Sequence, residues 1–396
     1  MPTKNTTGQN QALVRETNIR LILNQFKSHD MSTSDVANFF HLSNSGAKKI
    51  IDEILQTDIL VSAPESPQKR KGRRPNTLTL NSDYGILVII DFFSNELLCC
   101  DICGKTLYMQ KMHYLYEVNN ADIVSISENI KKILADRFSE KRLLSIAIVF
   151  VGKIHPDSCD IYMSHLFSRC TLNLKDYFSK EFSVPVTIKN NLHFAIIAEQ
   201  EFGCLIHSNA PYCYLNVGAG ITSAFLINDR LYMGATGLAG ELGFNISLDA
   251  KLPYSDYVDF RAIDNKLLQA LSEGTPSMIS KRCPDPKDIH YRDIVDCFLL
   301  GDPLINEIVM NAAYSLGIIL KNLIELMDFD TIILSGNILD FGEKYFDKVL
   351  ETVRSFNYTQ HKIVKSQLGN SAAQLGAIEL ARSIVFDTII NERKSN

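Results

Sequence analysis

The sequence predicts a multidomain chain, in which an N-terminal winged helix-turn-helix over residues 1–80 is followed by a larger α/β domain over residues 81–396. Two observations predict this division. Up to residue 56 apolar side chains recur at helical spacing, and two short strands that flank a basic segment come next. From residue 85 onward apolar strands alternate with helical patterns, which is typical of α/β domains.

Composition and charge fit a globular protein with a basic N-terminus. The 396 residues are 46% hydrophobic and 21% charged, which is ordinary for globular domains and enough for two or three of them. Residues 1–80 carry eleven Lys and Arg against seven Asp and Glu, a net of +4, so the overall −5 leaves −9 for the remainder. This asymmetry predicts a polyanionic partner for the N-terminus and argues against DNA contacting the acidic remainder.

Targeting signals and cysteine usage predict a cytoplasmic protein. No segment approaches the roughly 18 consecutive apolar residues of a membrane span, and the polar start lacks the apolar region of a secretory signal. The nine cysteines are scattered and several lie in apolar runs, which favours reduced, buried thiols. Cys100 and Cys103 form a CxxC pair, but no second pair or nearby His completes a zinc site.

The first element is an amphipathic helix, on which Ile19, Ile22 and Phe26 share one face. A second helix follows the capping segment 31–35, and a third runs over residues 45–56. Two short helices joined by a tight turn predict a helix-turn-helix. Its short polar and basic residues are suited to contact phosphates or base edges, and they are Ser43, Asn44, Ser45, Lys48 and Lys49. A small helical bundle with a solvated lysine face is the alternative.

A basic segment between two short strands completes the N-terminal pattern. Residues 59–61 form one apolar strand, and Leu78 and Leu80 alternate in the next. Five of the six residues 69–74 are positively charged. The pattern predicts the β-hairpin wing of a winged helix, in which Lys71, Arg73 and Arg74 reach the minor groove or the phosphates. A linker or an RNA-binding tail would also account for a charged loop.

A glycine-rich stretch, residues 215–244, joins two apolar strands to the segment GATGLAGELGF. Glycines at this spacing allow the backbone to approach a ligand or to turn with positive φ. The order of these parts resembles the ROK family of sugar-kinase-like proteins. The segment GRRPNTLTLN after a helix-turn-helix resembles the family's transcriptional-regulator branch. The resemblance implies a ribonuclease-H-like fold of the actin and hexokinase type, with lobes of about 81–190 plus the C-terminal helix and about 191–380.

The chain departs from the family's kinases at two motifs. Kinases of the family carry roughly DxGGT after the first strand, where this chain has Asp91-Phe92-Phe93-Ser94-Asn95, so we expect the phosphate cradle to be lost. The segment ending at Glu199 aligns with ENDANAAALAE, which places Asn190 on the sugar-binding Asn and Asn191 on the Asp that acts as general base. An amide has no basic carboxylate, so we expect no enzymatic activity. The two asparagines could also simply cap the helix.

Glu241 matches the family's sugar-contacting glutamate, although a solvated or helix-capping acid would fit the same pattern. Phe244 stands where the family has a zinc-binding His, and residues 245–262 contain no Cys or His. The sequence therefore predicts no metal at this place and no cofactor.

These features together predict a sequence-specific DNA-binding regulator, and the resemblance implies a repressor of carbohydrate uptake or metabolism genes. Its partners would be a double-stranded operator and a sugar or sugar-phosphate effector bound by Asn190, Asn191 and Glu241. Because a palindromic operator is read by two recognition helices, we expect a homodimer or homotetramer. Two alternatives stay open at this point. The ROK domain could have lost sugar binding and respond to a protein partner or a non-sugar metabolite, or, less in keeping with the motifs, the chain could be an active sugar kinase.

Overall fold

The computed structural model describes residues 7–64, 76–113, 117–205, 210–247 and 251–392. The helices are α1 (Thr7–Gln25), α2 (Thr33–Phe39), α3 (Asn44–Leu55), α4 (Asn120–Arg137), α5 (Leu174–Phe182), α6 (Asn191–Phe202), α7 (Ser255–Val258), α8 (Phe260–Ser272), α9 (Ile279–Arg282), α10 (Tyr291–Leu299), α11 (Pro303–Met327), α12 (Glu343–Arg354) and α13 (Ala372–Glu392). The strands are β1 (Met31–Ser32), β2 (Leu60–Ser62), β3 (Thr77–Leu80), β4 (Ile86–Asp91), β5 (Glu96–Asp101), β6 (Thr106–Lys111), β7 (Leu143–Phe150), β8 (Lys153–Ile154), β9 (Ile161–Met163), β10 (Val186–Asn190), β11 (Tyr212–Val217), β12 (Ile221–Ile227), β13 (Arg230–Tyr232), β14 (Thr331–Ser335) and β15 (Lys362–Lys365).

The chain divides into two compact units. The first comprises Met1–Val151, Ser164–Ile188 and Ala377–Asn396, and the second comprises Gly152–Met163 and Lys189–Gly376. The N-terminal 80 residues are grouped with the first unit, so the boundary that the sequence analysis places at residue 80 stays a prediction.

Two of the three helices at the start of the first unit begin at residues whose side chains cap them. Ser32 and Asp35 form a capping box at the start of α2, since the Ser32 amide donates to Asp35 Oδ2 at 2.8 Å and the Asp35 amide to Ser32 Oγ at 3.2 Å. Ser43 caps α3 in the same way, accepting from the Gly46 amide at 3.1 Å. Helix α1 begins at Thr7, whereas the apolar pattern in the sequence predicts a helix from Thr17 to Lys27.

A three-stranded sheet accompanies these helices, in the order β1-β3-β2. Strands β2 and β3 pair antiparallel, with Leu60 opposite Leu80, and β1 pairs with the other edge of β3. The connection between β2 and β3, which includes the predicted basic tip with Lys71, Arg73 and Arg74, lies outside the described residues.

The larger sheet of the first unit has the order β10-β7-β4-β5-β6. Strand β4 runs parallel to β7 and antiparallel to β5, and all six of its residues are buried. The apolar pattern of the sequence predicts three strands, over residues 85–91, 97–103 and 106–113, followed by a helix over 121–137, and β4, β5, β6 and α4 lie there. Because β4 is central and fully apolar until Asp91, that carboxylate is fixed at the end of the strand, 0% exposed.

A buried charged cluster, Lys27, Glu379 and Arg382, joins the end of α1 to α13 within the first unit. Lys27 Nζ lies 2.5 Å from Glu379 Oε1, and Arg382 pairs with the other carboxylate oxygen. The three side chains are only 4–6% exposed. Arg382 also donates to the carbonyl of Cys103 at 3.3 Å.

The second unit is built on a sheet of order β13-β12-β11-β14-β15. The two apolar strands of the glycine-rich stretch are β11 and β12, which pair antiparallel, and β11 pairs parallel with β14. Asn228 and Asp229 both have positive φ, 53° and 57°, and turn the chain from β12 into β13. The core lies between this sheet and helices that include α11 and α12.

Helix α11 is the one helix in the described part of the chain that is long and apolar enough to cross a membrane by length and composition. Half of its most apolar window is buried inside the protein, among core residues such as Val309, Leu316 and Leu320. A core helix of a soluble protein has the same character.

Candidate functional site

The predicted DNA-contacting residues of the helix-turn-helix lie together at the start of α3. Ser43, Asn44 and Ser45 are exposed at its N-terminal end, and Lys48 and Lys49 are exposed one turn further on. Their neighbours Ala47, Ile50 and Ile51 are buried in the core of the helical region. Helix α3 therefore packs through its apolar face and presents its polar and basic residues to solvent, as the amphipathic pattern requires.

Asn190 lies at the junction of β10 and α6. Its Oδ1 accepts from the Leu192 amide at 2.9 Å, and its Nδ2 donates to the Gly152 carbonyl at 3.0 Å. The side chain therefore caps α6 and fixes the start of the segment after β7. The capping role that the sequence left open is present, and one N–H and one lone pair of the amide stay available beyond these two bonds.

Asn190 and Glu241 lie on the same small cavity, whereas Asn191 is not among its lining residues. Its volume is about 20 Å³, enough for roughly one water molecule and far too small for a sugar ring. The lining residues are Gly152, Lys153, Ile154, Asn190, His193, Thr222, Ser223, Gly237, Ala239 and Glu241.

Lys153 is the cation of this cavity. Its Nζ lies 3.3 Å from Glu241 Oε2 and 4.2 Å from the centroid of the Phe244 ring. The lysine side chain is only 9% exposed, and that of Glu241 is 20% exposed.

Close to this pair, the Tyr162 hydroxyl donates a hydrogen bond to the Thr236 carbonyl at 2.7 Å. Burial, with a smaller contribution from the Glu241 charge, raises the pKa of Tyr162.

His193 lies one turn into α6 and also lines the cavity. The residue is 7% exposed, and its Nδ1 has no hydrogen-bond partner. Burial, aided by the Lys189 charge, lowers the pKa of His193 to about 4. The ring is therefore neutral at pH 7.

Two glycines of the glycine-rich stretch serve close backbone packing. Gly240 has φ +92°, and a Cβ there would lie 2.1 Å from the Ser223 carbonyl oxygen. Gly237 has φ +79°, and its Cβ would lie 2.4 Å from the Ile154 carbonyl oxygen. No side chain fits at either position, so these glycines hold the loop against β12 and β8 and thereby place Glu241.

The turn after β4 is closed by hydrogen bonds between its backbone amides and the Asp91 side chain. Asp91 Oδ1 accepts from the amides of Phe93 and Ser94 at 2.9 and 3.0 Å. Phe92 is buried against Phe167, with ring centroids 4.8 Å apart, and Phe93 is 50% exposed. Asp91 thus closes the turn as a cap, and the two amides that follow it already have an acceptor.

Comparison with known proteins decides the family. The sequence model of the ROK family matches residues 96–384. The chain belongs to the ROK family. It is 25% identical over 398 residues to the xylose repressor of Bacillus spizizenii, covering 96% of this chain and 98% of that protein. It is 23% identical over 399 residues to the xylose repressor of Caldicellulosiruptor bescii, covering 94% and 97%.

Solved structures show the same fold. A ROK family transcriptional regulator, a homologue of the Escherichia coli MLC protein, matches with a TM-score of 0.78 at 18% identity, over 96% of this chain and 98% of that one. A ROK family glucokinase from Streptomyces griseus, solved with glucose and AMPPNP, matches with a TM-score of 0.58 at 20% identity, over 75% and 99%. The ROK domain therefore has the actin- and hexokinase-like fold, as predicted.

The segment that follows Phe244 in this ROK domain is held by backbone hydrogen bonds. The Ser247 amide donates to the Leu252 carbonyl at 2.9 Å, and the Tyr254 amide to Asn245 at 2.8 Å. Ser255 Oγ donates to the Gly243 carbonyl at 3.1 Å. Within the ranges that the structure describes, no group of three or more His, Cys, Asp or Glu side chains could hold a metal ion.

Sequence reasoning missed Lys153 and His193. A signal for Lys153 was present, because a lysine follows Gly152 at the end of an apolar strand where the family has Pro-Gly. His193 sits in the same motif as Asn190 and Asn191 and three positions after Asn190, which brings it to the same side of the helix start.

Proposed function

We propose that this ROK protein is a sequence-specific DNA-binding transcriptional repressor of carbohydrate uptake or metabolism genes. The observation that carries the proposal is the exposed polar and basic end of α3, on a chain whose full length aligns with xylose repressors. The region of residues 1–80 acts as a winged helix-turn-helix. Its exposed short residues, Ser43, Asn44 and Ser45, contact base edges or phosphates, and Lys48 and Lys49 neutralise phosphates.

Two copies of the recognition helix are needed for a palindromic operator, so the protein acts as a homodimer or homotetramer. Lys71, Arg73 and Arg74 supply further phosphate or minor-groove contacts from the wing. Regulation follows from thermodynamic linkage. A signal that binds one state of the ROK domain more tightly than the other shifts the protein toward that state, and the affinity for DNA changes by up to the difference between the signal's binding free energies for the two states.

The ROK domain does not transfer phosphate in this proposal. Asn191 stands where the family's kinases have the general base, and it offers no carboxylate to deprotonate a sugar hydroxyl. Asp91 engages the amides of Phe93 and Ser94, which further disfavours a nucleotide phosphate there.

The first candidate for the signal is a sugar or sugar phosphate in contact with Asn190, Asn191 and Glu241, by analogy with relatives named as xylose repressors. A second candidate is a regulator that no longer takes a neutral sugar and responds to a protein partner or a non-sugar metabolite. The pairing of Lys153 with Glu241 and the cavity of about 20 Å³ favour this second candidate.

The test begins with selection of binding sites from a random duplex pool by the full-length protein. The selected duplex and a scrambled one are then titrated by fluorescence anisotropy at physiological salt. We expect the selected duplex to bind at least about 10³-fold more tightly. Lys48→Ala with Lys49→Ala should weaken binding, whereas Lys281→Ala, at an exposed lysine of the second unit, should not. Failure to enrich any sequence would refute the proposal.

A further inference from the structure

Lys153 places a positive charge in the cavity that Asn190 and Glu241 line. Its ammonium group is largely removed from water, and the carboxylate beside it is Glu241, 3.3 Å away. Burying a cation is tolerated when it is paired, and removing the partner leaves an uncompensated charge in a poorly solvated place. The Phe244 ring, 4.2 Å from the ammonium, covers the pair on one side.

The remaining wall of the cavity is polar and incompletely satisfied. His193 Nδ1 is buried without a partner, and Asn190 keeps one N–H and one lone pair beyond its two bonds. A neutral imidazole nitrogen accepts a hydrogen bond from a hydroxyl or from water. Hydroxyl-bearing ligands match the polar groups of this lining, but the cavity of about 20 Å³ beside the buried lysine has no room for a sugar ring.

We propose that Lys153 is a specificity-determining residue: its ammonium group occupies the ligand position on Glu241 and excludes neutral sugars from the cavity. The inference rests on the proposed assignment of Asn190 and Glu241 as ligand contacts. It names the residue that separates the two candidate signals, because Asn190 and Glu241 line the same cavity and the Lys153 ammonium is paired with Glu241 there.

The Glu241 carboxylate can pair either with the Lys153 ammonium or with a sugar hydroxyl, and the free energies of the two pairings decide which one forms. A sugar hydroxyl that replaces the ammonium gains a charge-assisted hydrogen bond with Glu241, but it strands the lysine charge in the cavity or forces the side chain out past Phe244. Breaking a buried pair costs more than such a hydrogen bond returns. Removal of the ammonium takes away this competitor and adds the volume of the lysine side chain to the cavity.

The experiment titrates D-xylose and D-glucose against the full-length protein by isothermal calorimetry, with thermal shift as a second readout. We expect Lys153→Ala to bind at least one of the two sugars at least about tenfold more tightly than the unchanged protein does, which corresponds to about 1.4 kcal/mol. Lys281→Ala, which removes an exposed lysine of the same unit, should bind as the unchanged protein does. Adding Glu241→Gln to Lys153→Ala should abolish the gain.

Two outcomes overturn the inference. One is that Lys153→Ala binds neither sugar more tightly than the unchanged protein does, and the other is a gain in affinity that survives Glu241→Gln. If circular dichroism shows that Lys153→Ala is unfolded, Lys153→Gln removes the charge while keeping part of the side chain, and the same criteria apply.

Failure of this inference is distinguishable from failure of the proposed function. The same preparations are titrated with the selected operator duplex. Intact operator binding without a gain in sugar affinity overturns the role of Lys153 alone. A gain in sugar affinity in a protein that binds no duplex specifically overturns the proposed repressor function and leaves the role of Lys153 standing.

Discussion

Replacing Glu379 with glutamine should lower the free energy of unfolding by about 3–5 kcal/mol, because it breaks a buried ion pair from one side. The carboxylate lies between Lys27 and Arg382, and all three side chains are 4–6% exposed. Glutamine keeps the shape of the side chain but leaves two cations facing one another without a counter-charge. A loss of this size is a large fraction of the roughly 5–15 kcal/mol that stabilises a typical protein.

The matched control is the exposed pair that joins the same two helices. Arg20 on α1 lies 2.6 Å from Asp387 on α13, with side chains 51% and 46% exposed. An exposed pair contributes about 0–1 kcal/mol, so Asp387→Asn should have little effect. Urea denaturation followed by circular dichroism compares the two variants. A loss in Glu379→Gln no greater than in Asp387→Asn would refute the argument from burial.

The pH dependence gives an independent check on the same cluster. Burial alone would raise the pKa of Glu379, but the charges of Arg382 and Lys27 outweigh it and hold the pKa below its usual value of 4.5. The stabilisation is therefore fully present above pH 4.5 and is lost as the pH falls through the lower pKa of the folded state. The difference between the unchanged protein and Glu379→Gln should be constant near neutral pH and should shrink only in acid.

Four further outcomes are expected. Lys48→Ala with Lys49→Ala should lower affinity for all duplexes and reduce the slope of log K against log salt by about 2, measured by anisotropy; an unchanged slope would exclude phosphate contacts by these lysines. Arg73→Ala with Arg74→Ala should weaken DNA binding at physiological salt, and equal affinity would rule out the role of the wing. The unfolding free energy should fall between pH 6.5 and about 4 because the pKa of His193 is lowered on folding, and His193→Gln should flatten that part of the profile measured by urea denaturation. Asn191→Asp should show no ATP-dependent phosphorylation of glucose or xylose in a coupled assay, since the Phe93 and Ser94 amides stay engaged by Asp91; turnover would contradict this.

Local signals in the sequence were sufficient for the elements that form from neighbouring residues. The capping segment 31–35 locates the start of α2 to within a few residues, and the predicted start of the third helix at residue 45 is one residue from that of α3. The Asn228-Asp229 pair between two apolar runs is likewise a local turn signal, and it marks the β12–β13 connection. Strand β4 was recognisable because it is apolar throughout and ends in an acid. In each case the hydrogen bonds that fix the element lie within a few residues of one another.

Other elements carry no such local signal. Helices α7 and α9 were not predicted, because each is four residues long and too short for a helical period to be recognised. Helices α8 and α10 were not predicted either, although their buried apolar residues recur at helical spacing. Strands β8 and β9 have two and three residues and depend on each other for pairing. Their positions follow from tertiary packing, which a pattern of local spacing does not contain.

The two buried charge pairs on which the stability prediction and the proposal for Lys153 depend have no local signal in the sequence. Lys27 and Glu379 are 352 positions apart, and Lys153 and Glu241 are 88 apart. A lysine beside an apolar run predicts a solvated charge, because exposure is the ordinary state of lysine. Only the fold brings the second charge within reach and makes burial tolerable. Comparison with the family's motifs identifies positions at which this chain has another residue, such as Asn191. It does not identify Lys153, because the function proposed for that lysine depends on its distance to Glu241, which only the structure shows.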